Sequence, residues 1–218
     1  MIELSESLPE GYEKQMLSAS MDCGSGTSKL EKEACHNVGE FFAVIRRDYV
    51  SARDTYKTNC DDRKYGASCF NLARLLLGGK GGDVDDKGAF KRFKQGCDLG
   101  HTPACHHFGL LNLKNGDIKT GVKNLKLACD NGDQASCYLV GMHHLRTTKV
   151  SKRNPLQGLK HLTLACDDGH APACHNLAVM FKKGDEGIPA DAAQFEKYST
   201  RTRELVQQRG QVQGITVA

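Results

Sequence analysis

Cysteine constrains this chain more than any other residue, because eight of its ten cysteines recur as pairs with nearly constant spacing. The pairs follow one another every 32 to 37 residues and are Cys60/Cys69, Cys97/Cys105, Cys129/Cys137 and Cys166/Cys174. Cys23 and Cys35 form a looser fifth pair. A period of this length is typical of a repeat protein, in which each unit buries its apolar strip against its neighbours. The sequence therefore predicts a single elongated repeat array and not a compact globule.

Composition and charge exclude several classes of protein. The net charge is +4 at pH 7, and lysine and arginine are interspersed with acidic residues, so the sequence does not favour a nucleic-acid partner. No apolar stretch approaches the ~18 residues that a membrane span needs. The first twenty residues hold four glutamates, one lysine and no apolar core, so they do not resemble a cleavable leader. We expect flexible segments at residues 1–22 and 209–218, on either side of an array at residues 23–208.

A first helix is predicted to begin near the second cysteine of each pair, at residues 35, 69, 105, 137 and 174. An apolar residue three positions after the cysteine is followed by a small one, which places a packing anchor beside a site of close helix approach. The anchors are Val38, Leu72, Phe108, Val140 and Leu177, and the small residues are Gly39, Ala73, Gly109, Gly141 and Ala178.

A second helix is predicted to end at the first cysteine of the next pair, after a turn rich in Gly, Pro and Asp. It carries a small residue eight positions before the cysteine and an apolar anchor four positions before it, on one helix face. The small residues are Ala52, Ala89, Gly121 and Gly158, and the anchors are Tyr56, Phe93, Leu125 and Leu162. Gly100, Gly132 and Gly169 then suit the left-handed position that ends a helix. The last second helix, through Phe195 and Tyr198, has no cysteine and is predicted to be a polar cap.

The two cysteines of a pair thus lie across a tight turn between two helices. This proximity predicts a disulfide in each pair, although cysteines buried in a reduced chain are the alternative. A bridge over so short a loop contributes about 2 to 3 kcal/mol by the chain-entropy argument. Disulfides persist in oxidising compartments, and the mitochondrial intermembrane space is one that accepts proteins without a cleaved leader. We therefore expect this location, with a secreted chain that lacks its leader as the alternative.

These residues resemble a known family. The small-residue step of the first helix, the opening Asp86-Lys87-Gly88-Ala89 of a second helix and the A-C-D-x-G ending are similar to Sel-like repeats, which are relatives of the tetratricopeptide repeat (TPR). The resemblance covers roughly Cys23 to Val206. It implies an all-α fold, namely a right-handed αα superhelix or TPR-like solenoid of about five helical hairpins, stapled by disulfides.

One cysteine pair per repeat narrows the resemblance to two branches. The first is the secreted, cysteine-rich Sel-like proteins of bacteria, which have been linked to β-lactam binding. The second is the animal mitochondrial cytochrome c oxidase assembly factors of the type called assembly factor seven, to which ACHNVGEFF and RELVQQRGQVQGI are similar. The second resemblance implies a protein-binding scaffold for building respiratory complex IV in the intermembrane space, at the copper-delivery stage. Its implied partners are complex IV assembly proteins or copper chaperones, and the oxidative import machinery.

Nine histidines raise the alternative of haem binding. His106, His107, Met142 and His143 are the candidate axial ligands for a haem in a groove. When the repeats are aligned, the position directly after the second cysteine forms a column of ring side chains: His36, Phe70, His106, Tyr138 and His175. Such a run of planar side chains indicates a packing position. The sequence requires no cofactor and predicts no metal site, and it lacks the C-x-x-C-H motif of covalent haem attachment.

The sequence favours a role other than catalysis. If the chain is an enzyme, its cysteines suggest a haem-binding thiol–disulfide oxidoreductase that acts on copper chaperones, although it has no C-x-x-C motif. Cys23/Cys35 would be the exchanging pair, because its longer gap and terminal position constrain it less. Lys119-Thr120-Gly121 matches one element of β-lactamase sites, but no S-x-x-K nucleophile accompanies it, and Gly121 lies at a packing position.

Overall fold

The computed structural model describes Cys23, residues 26–147 and residues 152–212; the segment at residues 1–22 that we expected to be flexible lies outside these ranges. Regular structure in the described part is helical except for an isolated β-bridge between Asp185 and Ile188. The chain forms two compact units, the first ending at Cys105 and the second beginning at His106. None of the described helices is both long and apolar enough to cross a membrane.

The ten α-helices of the described ranges form five helical hairpins. The first helices are α1 (Lys29–Glu40), α3 (Gly66–Leu77), α5 (Thr102–Lys114), α7 (Gln134–His144) and α9 (Ala171–Lys183). The second helices are α2 (Tyr49–Asp61), α4 (Asp86–Asp98), α6 (Ile118–Asp130), α8 (Pro155–Asp167) and α10 (Ala192–Val212). This succession is the all-α hairpin architecture that the cysteine period predicts. The boundary between the two units lies within α5.

Each second helix begins directly after an aspartate or asparagine that caps it. The five capping residues are Asp48, Asp85, Asp117, Asn154 and Asp191. The side-chain oxygen accepts the backbone N–H of the third helical residue, which would otherwise have no partner inside the helix. At the other end of α4, α6 and α8, Gly100, Gly132 and Gly169 adopt φ angles of 80°, 86° and 91°. These are the left-handed helix ends that the sequence predicts.

The first helices begin earlier than the sequence predicts. Asp133 shows the reason in the turn before α7, because its carboxylate accepts the Ser136 N–H at 2.7 Å and so starts the helix at Gln134. Cys137 consequently lies within the first turn of α7 and not at its start. The starts of α3, α5 and α9 precede their cysteines by the same three residues.

The last helix, α10, is longer than the sequence predicts. Tyr198 of α10 stacks on Phe181 of α9 with ring centroids 5.7 Å apart and an interplanar angle of 7°, which anchors the helix in the second unit. Beyond this anchor α10 continues to Val212, so residues 209–212, expected to be part of a tail, are helical.

A π-helix at Phe41–Arg46 separates α1 from α2. It ends at Arg47, whose φ of 53° is left-handed, a conformation that non-glycine residues seldom adopt. The backbone N–H of Asp48 donates to the Phe42 carbonyl at 2.9 Å, and α2 begins at the next residue. This π-helix was not predicted from the sequence. Single-turn π segments are concentrated at functional sites.

In the first unit, the buried anchor Tyr56 determines how closely the helices pack. A Cβ atom at Gly39 of α1 would lie 2.5 Å from Tyr56 Cε1, so only glycine fits there. Tyr56 also clusters with Leu72 and Leu75 of α3. Phe93 of α4, the anchor predicted for the next hairpin, is fully buried. Both anchors therefore occupy the hairpin interfaces.

The second unit uses leucine and glycine in the same way. A Cβ atom at Gly109 of α5 would lie 2.8 Å from Leu125 Cγ of α6, and one at Gly141 of α7 would lie 2.9 Å from Leu162 Cγ of α8. Both leucines are at most 1% exposed. The small residue predicted on one helix therefore receives the anchor of the other, and this repeated contact sets the spacing within each hairpin.

We expect Gly39→Ala to destabilise the first unit by about 1 to 3 kcal/mol, because the added methyl must displace the buried ring of Tyr56. Gly78→Ala is the matched control, since a Cβ atom there has its nearest neighbour at an ordinary 3.5 Å, and we expect a change below about 0.5 kcal/mol. Urea unfolding followed by circular dichroism measures both. Equal unfolding midpoints for the two variants would contradict this account of the hairpin packing.

Candidate functional site

A disulfide links the two members of every predicted cysteine pair. The bonds are Cys23–Cys35, Cys60–Cys69, Cys97–Cys105, Cys129–Cys137 and Cys166–Cys174, with Cα atoms 4.4 to 4.8 Å apart. All ten cysteines are bonded. The last four bonds join the end of a second helix to the first turn of the helix that follows. Each one closes a short turn and fixes the place at which one hairpin meets the next.

The cysteines differ in their access to solvent. Nine of them are at most 5% exposed, whereas Cys23 is only partly buried. Thiol–disulfide exchange needs an in-line approach of a thiolate to a sulfur atom, so burial protects a disulfide kinetically. Cys23–Cys35 is therefore the bond most open to an external thiol, and it is the pair chosen from the sequence.

The planar residue after the second cysteine contacts the turn that leads into the next hairpin. In the first unit, His36 Nδ1 lies 3.0 Å from Ser68 Oγ, and the His36 ring is 5.4 Å from the Tyr65 ring. The fully buried Asn59 donates to the same Ser68 oxygen at 2.8 Å. Burial lowers the pKa of His36, which favours the neutral ring. A neutral imidazole can accept the proton of the serine hydroxyl, so Ser68 Oγ accepts from Asn59 and donates to His36.

The same arrangement recurs in the second unit. His106 Nδ1 lies 2.8 Å from Ser136 Oγ and 2.9 Å from Asp133 Oδ2, and Asp133 is the residue that caps α7. Ser136 is fully buried. His106 thus connects α5 to the first turn of α7 through a hydroxyl and a carboxylate. Its Nδ1 atom is already in use as a structural contact.

The two aromatic residues of the column, Phe70 and Tyr138, contact a histidine instead. In the first unit, the ring centroids of Phe70 and His101 lie 5.2 Å apart. In the second unit, those of Tyr138 and His170 lie 4.7 Å apart. Burial lowers the pKa values of both His101 and His170, so a neutral ring packs against each aromatic ring. The planar-packing interpretation of this column accounts for these contacts.

Serine and alanine alternate in step with the type of ring. Where the column holds histidine, a buried serine precedes the first-helix cysteine of the next hairpin. Where the column holds Phe or Tyr, a buried alanine occupies that position. The serines are Ser68 and Ser136, and the alanines are Ala104 and Ala173. At this position before the cysteine, a hydroxyl is thus present only where an imidazole can pair with it, which avoids the cost of an unpaired polar group. The A-S-C and x-A-C variants of the turn carry this signal in the sequence, although the sequence analysis did not use it.

The candidate haem ligands lie in α5 and α7. The structure brings His106 to His107 and His143 to His144, with ring centroids 5.4 and 5.9 Å apart. Met142 Sδ already accepts a hydrogen bond from a side-chain amide of α9 at 3.1 Å. Burial lowers the pKa of His143, which favours the neutral imidazole that iron binds. Across the described ranges, no three His, Cys, Asp or Glu side chains are grouped so as to hold a metal ion. Haem binding stays a prediction.

The β-lactamase-like tripeptide has a structural explanation. Asp117 caps α6 by accepting the Thr120 N–H at 3.0 Å, and this hydrogen bond lowers the pKa of Asp117. Gly121 is buried, and a Cβ atom there would lie 2.6 Å from Leu113 Cδ2. These contacts are those of a helix start and of a helix–helix interface. They support the sequence-based interpretation of the tripeptide as a packing element.

Two ion pairs brace turns within the units. In the first unit, Arg92 of α4 donates to Asp61, which follows Cys60 at the end of α2, and one of these bonds measures 2.9 Å. The hydrogen bond from Arg92 lowers the pKa of Asp61. In the second unit, Arg153 binds Asp185 at 2.6 Å and lowers the pKa of its carboxyl group. Both pairs link one hairpin to the next and add electrostatic support to the covalent turns.

Comparison with known proteins gives the family of this chain. Residues 66–101, 104–133, 134–170 and 171–194 match the Sel1 repeat. Cytochrome c oxidase assembly factor 7 from mouse is 33% identical over 198 residues, which cover 85% of this chain and 85% of that protein. The human protein of the same name is 32% identical over 199 residues, with the same coverage. This chain belongs to the cytochrome c oxidase assembly factor 7 family. It is a Sel1 repeat member in which the matched segments begin at the second hairpin.

A solved structure supports the fold independently. The Sel1 repeat protein from Oxalobacter formigenes superposes with a TM-score of 0.76 over 89% of this chain and 82% of that protein. Sequence identity is 17%, so this likeness concerns the fold alone. The predicted fold class, a disulfide-stapled Sel-like repeat solenoid, is confirmed.

A double-mutant cycle tests the pairing of histidine with serine. We expect His106→Phe and Ser136→Ala to be less destabilising together than the sum of the two single changes, with a coupling of about 0.5 to 1.5 kcal/mol. The double variant copies the natural Phe70/Ala104 combination. Urea unfolding midpoints of the four proteins give the coupling energy. As a control, His175→Phe, whose hairpin is the last one, should combine additively with Ser136→Ala; a cycle at His106 that is equally additive would refute the pairing.

Proposed function

We propose that this protein takes part in the assembly of cytochrome c oxidase in the mitochondrial intermembrane space, as a disulfide-rigidified scaffold that binds other assembly proteins. The observation that carries the proposal is the combination of family and covalent structure. The chain shares about a third of its residues with mammalian proteins named cytochrome c oxidase assembly factor 7. It also bonds all ten of its cysteines within the chain, which suits an oxidising compartment.

The structure favours binding over catalysis for a physical reason. Helical hairpins that are fixed at every junction lose little conformational entropy when a partner binds, so more of the contact energy appears as affinity. The buried polar groups described above pair with one another and form hairpin junctions, and they do not converge on a reacting atom. Clients of such a scaffold would be complex IV assembly proteins, copper chaperones among them. Oxidative folding by the import machinery would trap the chain in this compartment.

Removal of the protein from its source cells should lower the amount of fully assembled cytochrome c oxidase and leave the other respiratory complexes near their normal levels. Blue-native electrophoresis with in-gel activity measures this effect, and re-expression of the wild-type chain should reverse it. In intact mitochondria the protein should resist added protease, and rupture of the outer membrane alone should expose it. Unchanged oxidase levels would refute the assembly role, and resistance to protease after rupture would refute the location.

The exposure of Cys23 supports a second candidate function, thiol–disulfide exchange with a dithiol on a copper chaperone. A client thiolate would attack Cys23 Sγ, and the Cys35 sulfur would leave as a thiolate. The second client thiolate would then displace Cys23, so the client dithiol becomes a disulfide and Cys23–Cys35 becomes a dithiol. One molecule of this protein therefore oxidises one client dithiol. Continued turnover would need the oxidative import machinery to restore the bond.

The variant Cys23→Ser/Cys35→Ala separates the two candidates. If the protein acts as a scaffold, this variant should restore oxidase assembly in cells that lack the wild-type chain. If exchange is the function, assembly should stay low although the variant accumulates and remains helical by circular dichroism. Mass spectrometry of the mixed disulfide formed with a reduced copper chaperone is the direct measurement. Absence of any adduct at Cys23 would remove the exchange candidate.

Haem binding by the second unit is a further proposal that rests on its paired histidines. Nε2 of His106 or the neutral ring of His143 would supply the axial ligand, and the bound iron would supply redox chemistry. Haem titration should then produce a Soret shift that disappears when His106 and His107 are replaced by phenylalanine. A spectrum that is the same with and without these histidines would refute the proposal.

A further inference from the structure

The first unit carries an open groove of about 380 Å³ that the sequence analysis did not predict. The π-helix and the residue that follows it form one side, through Val44 and Arg47. Tyr49 at the start of α2 contributes a ring, and Arg74 of α3 with Lys80 of the following loop forms the other side. Segments far apart in sequence thus place three cations around one cavity.

Among the residues that the structure describes, these cations have no acidic partner. In the described part of the chain, none of Arg47, Arg74 and Lys80 forms an ion pair with a carboxylate, and all three are exposed. Of the described residues that line the groove, Glu40 alone is acidic, and it already lies 3.5 Å from His36 Nε2. The lining therefore has three positive charges against one negative charge. Such an excess attracts a carboxylate ligand, and more strongly inside a concavity than on an open surface.

Aromatic rings position two of the cations. Lys80 Nζ lies 4.9 Å from the centroid of the Tyr49 ring, and Arg74 Cζ lies 5.7 Å from that of Phe70. A cation held over a ring face stays charged and keeps N–H groups available for a second partner. The side chains are therefore partly ordered before any ligand arrives. This ordering lowers the entropic cost of binding.

The floor and rim of the groove add a phenol and apolar surface. Tyr56 accepts a hydrogen bond from Asn71 Nδ2 at 3.2 Å, and burial raises its pKa to about 12, so its hydroxyl keeps a proton that it can donate. At the rim, Val44 is 70% exposed in a π-helix whose first five residues are apolar. Arg47, which lines the same groove, adopts a left-handed conformation that costs backbone energy. Apolar contact and carboxylate binding are thus available side by side.

We infer that this groove binds an acidic segment of a client protein, in which carboxylates meet Arg47, Arg74 and Lys80 and an apolar side chain packs against Val44. This inference rests on the proposed scaffold function and specifies the chemistry of its client. Guanidinium groups bind carboxylates through paired N–H groups, which makes arginine the suitable residue for such a contact. A basic or uncharged segment would leave the three cations without a partner.

Binding of a synthetic peptide to the purified, oxidised full chain tests the inference. The probe is a fluorescein-labelled peptide of alternating Glu, Asp, Leu and Phe residues, and fluorescence anisotropy measures its affinity. We expect a peptide with Gln and Asn in place of the acids to bind about tenfold more weakly or worse. Raising the ionic strength from about 0.05 M to about 0.3 M should also weaken binding of the acidic peptide. Equal affinity for both peptides would overturn the inference.

Three substitutions locate the site. Arg47→Asn, Arg74→Gln and Lys80→Gln together should weaken binding about tenfold or more. Asparagine is chosen at position 47 because it tolerates the left-handed backbone. The matched control is Lys57→Gln, Lys87→Gln and Lys91→Gln, which removes the same charge from exposed positions on α2 and α4 of the same unit. Equal losses in the two triple variants would show a non-specific charge effect and would refute the groove.

Other occupants are distinguished in the same assay. Two competitors are added, a single-stranded oligonucleotide and a vesicle with anionic lipid. If either competes as well as the unlabelled acidic peptide, the inference that the groove binds a protein segment is wrong. The chain's own acidic residues are tested with Glu3→Gln, Glu6→Gln, Glu10→Gln and Glu13→Gln in the full chain. Tighter peptide binding by that variant would show that residues 1–22 compete for the groove, and it would overturn the inference that a client segment binds there. An unchanged affinity supports it.

Failure of this inference differs from failure of the assembly role. If the groove triple variant restores cytochrome c oxidase in deficient cells but does not bind the peptide, the groove is dispensable and the inference is wrong while the assembly role stands. If the peptide binds as expected but loss of the protein leaves the oxidase unchanged, the assembly role is wrong and the groove stands.

Discussion

The disulfide at each hairpin junction is the constraint on which the rest of the structure depends. It joins two helix ends whose Cα atoms lie less than 5 Å apart, so the turn between them has little freedom left even in the unfolded chain. A small repeat unit cannot bury its apolar face alone, and a covalent link to its neighbour compensates for a thin core. The core can then consist of one anchor and one small residue per helix, as with Leu162 against Gly141.

Fixed junctions also explain why the ring column tolerates different side chains. Because the disulfide sets the backbone of each turn, the residue after the cysteine always faces the next turn, whatever its chemistry. Histidine is accepted where a serine hydroxyl lies within 3 Å, as for His106 and Ser136, and tyrosine where alanine leaves the space apolar. In the sequence, the recurring histidines of this column resemble a set of ligands. In the fold, the column forms contacts at the hairpin junctions. Histidine recurrence alone therefore does not distinguish a cofactor site from packing.

The features that depend on local chemistry and periodicity could be predicted from the sequence. Tyr56, Phe93 and Leu162 are buried as predicted, because a residue four positions before a cysteine lies on the same helix face as its sulfur atom. Gly100 is left-handed because a helix ends there. The helices α3, α5, α7 and α9 start three residues before the predicted residue, and at α7 the cause is the carboxylate of Asp133, four residues before the cysteine, which caps the helix. These errors are small because they concern only the residue at which a helix begins.

The groove and the π-helix could not be predicted in this way, because neither depends on a local pattern. Arg47, Arg74 and Lys80 belong to different segments, and only the packing of α1, α2 and α3 brings them to one cavity. The division into two units within α5 likewise depends on contacts that no repeat pattern reports. Charges that look interspersed in sequence can therefore still converge in space. The mild net charge of the chain gave no sign of this local excess.

The first hairpin departs from the repeat in several ways at once. Its cysteine gap is longer, Cys23 is partly exposed, a π-helix replaces an ordinary turn, and Arg47 adopts a strained backbone. Local rules fail most often where a structure serves a function, because selection keeps a costly feature only when something else depends on it. At the later junctions the two bonded cysteines are 8 or 9 residues apart, whereas Cys23 and Cys35 are 12 apart. The π-helix and Arg47 form one side of the cationic groove, which is why the client-binding surface is proposed at this hairpin.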